Sequence, residues 1–196
     1  MTIPTAPVYD LIPGETPGQR IARILCGYDG CSAKVNRAKL AAFVCRGIED
    51  ESFVDVSTNC AVVGLAILYA AGVQHKLLQT KYVNGMAFAW MVQIGNDLGA
   101  WEIPSANNYP TVGSGLWYEI AGQNDDHYET LVGLNPTRHA GGGRPGNFVT
   151  AGPGQIDYSW GRPLRRWLNP DKLGLTVIAA NVTDVEPHPE IDGAHV

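Results

Sequence analysis

Residues 55–73 read "DVSTNCAVVGLAILYAAGV", and the fold turns on how this stretch is taken. From Ala61 to Leu68 every helical side is apolar, the pattern of a helix buried all round rather than one with a wet face. Ser57, Thr58 and Asn59 precede it and are side chains that cap helix starts. Gly72 follows at the place of a left-handed C-cap. The spacing predicts a helix over 59–71 with Cys60 in its first turn. A cysteine there is either a small core residue or a nucleophile, because unpaired backbone N–H groups and the positive end of the helix dipole favour a thiolate.

Upstream of this helix, "QRIARILC" (19–26) and "NRAKLAAFVCRG" (36–47) repeat apolar residues at three and four, predicting two short amphipathic helices. Cys26 and Cys45 fall on their apolar sides and are expected in the core. Residues 1–18, with Pro4, Pro7, Pro13 and Pro17, read as an extended arm crossing a surface, a segment suited to a protein partner. Downstream, residues 84–101 predict another helix, and "IPSANNYPTVGSG" is a turn-rich connector. The period then changes to two: residues 115–122, 127–134 and 146–152 are strand candidates separated by turn clusters, followed by "PLRRWLNPDKL" and "GLTVIAANV". Helices first and an antiparallel sheet after them define an α+β class. The expected organisation is an arm (1–18), one α+β domain (19–180) and a tail (181–196).

The chain has 196 residues, a formal net charge of −5 and a pI near 5.4. No run of like charges is suited to nucleic-acid phosphates, so a nucleic-acid partner is not expected. No stretch reaches the 18 or so apolar residues that span a bilayer, and the start lacks a basic-then-apolar secretory address. The expectation is a chain made in the cytoplasm with reduced thiols. Cys26 and Cys31 are spaced like a zinc half-site, but no second Cys or His pair follows at ligand spacing, so no metal is expected. The "AGGGRPG" loop lacks the Lys-Ser/Thr of a phosphate-binding loop.

A cysteine nucleophile needs a base. Of the five histidines, His188 and His195 lie in the tail, His75 follows the Cys helix in a loop, and His139 precedes the Gly-rich loop. His127 alone opens a predicted strand, after the polar turn "GQNDD". A helix beginning with Cys, then a strand, a turn and a strand beginning with His resembles the papain-like NlpC/P60 and CHAP superfamily of cell-wall hydrolases. "STNCAVVGLAILYAAGV" is similar to that family's Cys helix, "PTVGSGLWYEIAG" to its first strand and "DDHYETLVGL" to its His strand. "NFVTAGPGQID" and "WGRPLRRWLN" follow where a third strand and a basic-aromatic segment belong. The likeness covers roughly residues 57–173.

Two departures stand out. The family's Gly-Asp at the first strand is Gly113-Ser114 or Gly115-Leu116 here. Its third catalytic group falls in register at Ala151 or Gly152, whose side chains cannot orient an imidazole. Gln155 is the preferred substitute, with Asp157 and Asn147 as the others. Trp117, Trp160 and Trp167 read as core or rim anchors, and Arg162, Arg165 and Arg166 as a small, solvated basic patch.

The resemblance implies a cysteine peptidase or amidase acting on amide bonds of bacterial peptidoglycan peptides. Cys60 is the nucleophile, His127 the base and Gln155 the orienting group, and the chemistry requires no cofactor. Delivery by a phage holin, a phage tail or a contractile secretion machine fits a chain without a secretory address. The alternative is a degenerate papain-like fold serving as a structural or binding component of a virion or other assembly. A cysteine transferase or protein deamidase shares the Cys-His pair and differs in substrate, chosen by loops such as 74–114.

Overall fold

The computed structural model describes residues 2–55, 60–83, 86–121, 126–142 and 149–177. The Ser57/Thr58 cap, most of the turn before His127, Asn147 and the tail with His188 and His195 lie outside these residues.

Four α-helices occur among the described residues: α1 (Pro17–Cys26), α2 (Arg37–Val44), α3 (Cys60–Ala71) and α4 (Ala87–Asp97). The start of α1 is written locally: Thr16 and Gln19 form a reciprocal capping box and Pro17 occupies the first turn, where its missing N–H costs nothing. The end of α2 comes earlier than the apolar spacing suggests. Arg46 and Gly47 both take positive φ (55° and 70°), which turns the chain out of the helix. Arg46 repays that conformation with buried contacts, donating to Leu78 O (2.7 Å) and to Glu49 Oε1 (2.9 Å). Cys45 is buried as expected, whereas Cys26 is exposed, because it is the last residue of α1 and faces past the end of the packing surface.

Helix α3 is the hub, packed against α1, α2, α4 and the sheet, and nearly all of its residues are buried. That environment explains its apolar circumference. The sheet comprises β1 (Trp101–Glu102), β2 (Gly115–Tyr118), β3 (His127–Leu134), β4 (Thr137–Gly141), β5 (Thr150–Pro153), β6 (Tyr158–Ser159) and β7 (Arg162–Leu168). The strand order is β1-β7-β2-β3-β4-β5, all antiparallel, with β6 paired to β7 as a hairpin. The α+β class with helices on an antiparallel sheet is therefore present.

Strand β4 is the element that the sequence pattern hides. "TRHAG" has no β-branched run, and it lies between a turn and a Gly-rich loop. It is a strand because β3 and β5 pair with it on either side. On β3 the side chains alternate. Tyr128 faces α3, where a Cβ on Gly64 would come within 2.7 Å of its ring and a Cβ on Gly115 would overlap its hydroxyl. His127, Glu129 and Leu131 face the other side, together with Leu116 and Tyr118 of β2. Leu116, Tyr118 and Leu131 form a second, smaller core there with Ile156 and Trp167.

The arm from Thr2 to Thr16 is laid on the body. The Tyr9 and Tyr28 hydroxyls share a hydrogen bond, Arg23 donates to Asp10 O (3.0 Å), and Glu51 N donates to Thr2 O (3.2 Å). No helix among the described residues is long and apolar enough to cross a membrane.

Candidate active site

Cys60 is the first residue of α3 and is half-buried. Its sulfur accepts a hydrogen bond from the backbone N–H of Tyr128 at 3.3 Å, so the start of the helix is tied to the start of β3. The neighbouring residue on that strand is His127, 9 % exposed, whose ring is close enough to Cys60 for the sulfur to favour its protonation. The two sequence-derived partners therefore meet, although 67 positions separate them (127 − 60).

The group on the far side of the imidazole is Glu129. Its Oε1 lies 3.2 Å from His127 Nε2, close enough to pair charges although the N–H does not point straight along the contact. Residues i and i+2 of a strand share a face, so β3 alone delivers both side chains. Glu129 is 5 % exposed and surrounded by donors. Its Oε2 accepts from His139 Nδ1 (2.9 Å) and Ser159 Oγ (2.9 Å), and its Oε1 accepts from Trp160 Nε1 (3.3 Å). His139 comes from β4 and is 3 % exposed. Tyr118 lies alongside both rings, its centroid 6.3 Å from each.

The electrostatics follow from this geometry. Burial opposes protonation of His127, but the nearby Cys60 sulfur and Glu129 carboxylate outweigh it, and the imidazole is pushed up to about 9. Burial also works against the Glu129 charge, yet the neighbouring His127 and the hydrogen bond from His139 hold the carboxyl well below the usual carboxylate range. The result is a buried row, Cys60–His127–Glu129–His139, with a permanent negative charge at its third member.

Gln155 stands elsewhere. Its side chain is exposed, its backbone bridges to Tyr158, and its carbonyl accepts from the Tyr118 hydroxyl at 3.4 Å. It lines, with Glu129, His139, Ser159 and Trp160, a cavity of about 270 Å³ beside the row. Asp157 is exposed and accepts from the Tyr109 hydroxyl. The signal for Glu129 was present as His-x-Glu on a predicted strand. His139 was masked by the unrecognised β4, since only a strand there turns its ring towards Glu129. His75 pairs with Asp97 (3.1 Å), away from this row.

Of the three tryptophans, Trp167 is core, and Trp117 packs against Phe88 and Trp101 while donating to Asp126 (2.8 Å). Arg165 pairs with Glu119, and both Arg165 and Arg166 lie over the Trp117 ring. Among the described residues no group of three or more His, Cys, Asp and Glu is arranged to hold a metal ion.

A thiol, an imidazole and a carboxylate in sequence form the arrangement of nucleophile, base and orienting acid used in acyl transfer. Comparison of the chain with protein-family models, with curated proteins and with solved structures returned no match.

Proposed function

We propose that this protein is a cysteine hydrolase that cleaves amide bonds, with peptides of bacterial peptidoglycan as the substrate class. The observation that carries the reading is the Cys60–His127–Glu129 row, in which a raised imidazole stands between a sulfur and a buried carboxylate. Cys60 passes its proton to His127 and attacks the carbonyl carbon as thiolate. The N–H groups at the start of α3, Cys60's own included, steady the tetrahedral oxyanion. His127 returns the proton to the leaving nitrogen as the C–N bond breaks, leaving a thioester. A water then gives its proton to His127 and hydrolyses the thioester, releasing the acid and regenerating Cys60.

Peptidoglycan as substrate rests on the likeness of residues 57–173 to NlpC/P60 and CHAP enzymes, and delivery by a phage or a contractile secretion machine rests on the same likeness. The alternative of a degenerate fold drew its support from the missing third group at the third strand. The position of Glu129 beside His127, on a different strand, supports the enzyme reading instead.

The test is digestion of purified peptidoglycan by wild type and Cys60→Ala, with mass spectrometry of the released fragments. Wild type should release peptide fragments whose masses identify the bond, and Cys60→Ala should release none. Folded wild type that releases nothing overturns the substrate class. Failure of iodoacetamide to modify Cys60 faster than Cys26 overturns the nucleophile.

A further inference from the structure

Trp160 occupies the tip of the β6–β7 hairpin, and four independent features set it apart. Its φ is 53°, a left-handed conformation that a bulky residue adopts only at a cost, and such strain collects at functional positions. The residue is 49 % exposed. The indole nevertheless reaches inward, donating Nε1 to Glu129 Oε1 at 3.3 Å and lying 5.4 Å from the His127 ring. It also lines the cavity beside Glu129, together with Gln155 and Tyr158. The conformation is enforced locally: Gly161 follows with φ 79°, Arg162 donates to the Trp160 carbonyl (2.7 Å), and Ser159 is fastened to Glu129.

A residue that served only to fill space would not need an exposed face, and one that served only the surface would not need the strained turn. The His127 and Trp160 ring centroids are 5.4 Å apart, so a substrate group bound beside His127 is within reach of the exposed part of Trp160. From this geometry we propose that Trp160 is a positioning residue for the Glu129–His127 pair and the wall against which the substrate's group next to the scissile amide packs. The wall accepts a flat or apolar group, which the exposed indole face desolvates. This inference rests on the hydrolase reading for its second half. Its first half concerns the chain alone. The charged and titratable groups facing His127 are Cys60 from α3 and Glu129 from β3, with the Tyr118 ring of β2 alongside. Glu129 in turn faces His139 of β4. Trp160 excludes water from the Glu129 side of that set.

Two variants separate the roles. Trp160→Phe keeps the wall and removes the N–H, and kcat on the peptidoglycan peptide cleaved by wild type should fall about tenfold with KM within about twofold. Trp160→Gly removes the wall and relieves the positive φ. KM should rise about tenfold as well, and the His127 titration point, read by NMR of the ring, should move away from its wild-type value as water reaches the pair. Its melting temperature should stay equal to wild type or rise. Variants that leave kcat, KM and the His127 titration at wild-type values overturn the proposal. So does a Trp160→Gly protein whose only change is a lower melting temperature. A shifted His127 titration in a protein that cleaves no peptide supports the positioning role and removes the hydrolase reading instead.

Discussion

Glu129 is the side chain on which the site's electrostatics converge. His139, Ser159 and Trp160 donate hydrogen bonds to one buried carboxylate, and His127 pairs with it at 3.2 Å. Glu129→Gln keeps the shape and removes the charge, so the imidazole loses the partner that offsets its burial. The His127 value should fall from about 9 towards its ordinary 6.5. Because the proposed chemistry needs a protonated His127 to release the leaving nitrogen, activity is lost as pH rises through the folded value. The upper limb of the pH–rate profile should therefore move to lower pH in Glu129→Gln, with kcat/KM down about 10²-fold. Gln155→Ala should change kcat/KM by less than about threefold, since its side chain stands at the exposed rim. Comparable losses from both variants would remove Glu129 from the orienting role.

At the scale of elements, the site depends on how closely α3 approaches β3. Gly64 makes that approach possible: the Tyr128 ring lies where a side chain would be, and its hydroxyl end occupies the space a side chain on Gly115 would need. Gly64→Ala gains about 1 kcal/mol of helix propensity but forces a buried contact of 2.7 Å that neither side can relax. Overpacking of that kind costs about 1–3 kcal/mol, so urea denaturation should show net destabilisation. The same displacement lengthens the bond from Tyr128 N to Cys60 Sγ, and kcat should fall with stability. A Gly64→Ala protein more stable than wild type would contradict this packing. The helices were legible in the sequence because apolar spacing at three and four survives burial, and β3 was legible from His127 to Leu134 through its alternation. Strand β4 was not, because its residues carry no strand preference of their own and its neighbours impose the conformation.

Across the whole molecule, the buried row links protonation to folding. His127 is raised in the folded state, so its contribution is complete below 6.5, the ordinary value, and is lost as pH climbs through about 9. Glu129 is depressed, so its contribution is complete above its ordinary 4.5 and is lost as pH falls below that. The two windows overlap between those ordinary values. The melting temperature should be highest there and decline on both sides, and Glu129→Gln should flatten the profile across both limbs. An unflattened profile in that variant would place the pH dependence elsewhere. The amino-acid sequence by itself determined the α+β class, the buried helix headed by Cys60 and the strand opened by His127, because these follow from local periodicity and caps. It also held Glu129 on the right face of that strand, two residues from His127. Only the tertiary structure decided that Cys60 and His127 meet, that Glu129 rather than Gln155 stands behind the imidazole, and that His139 and Trp160 complete its surroundings. Those contacts are set by strand order and by the fold of the β6–β7 hairpin, and pairing between distant strands leaves no period in the sequence.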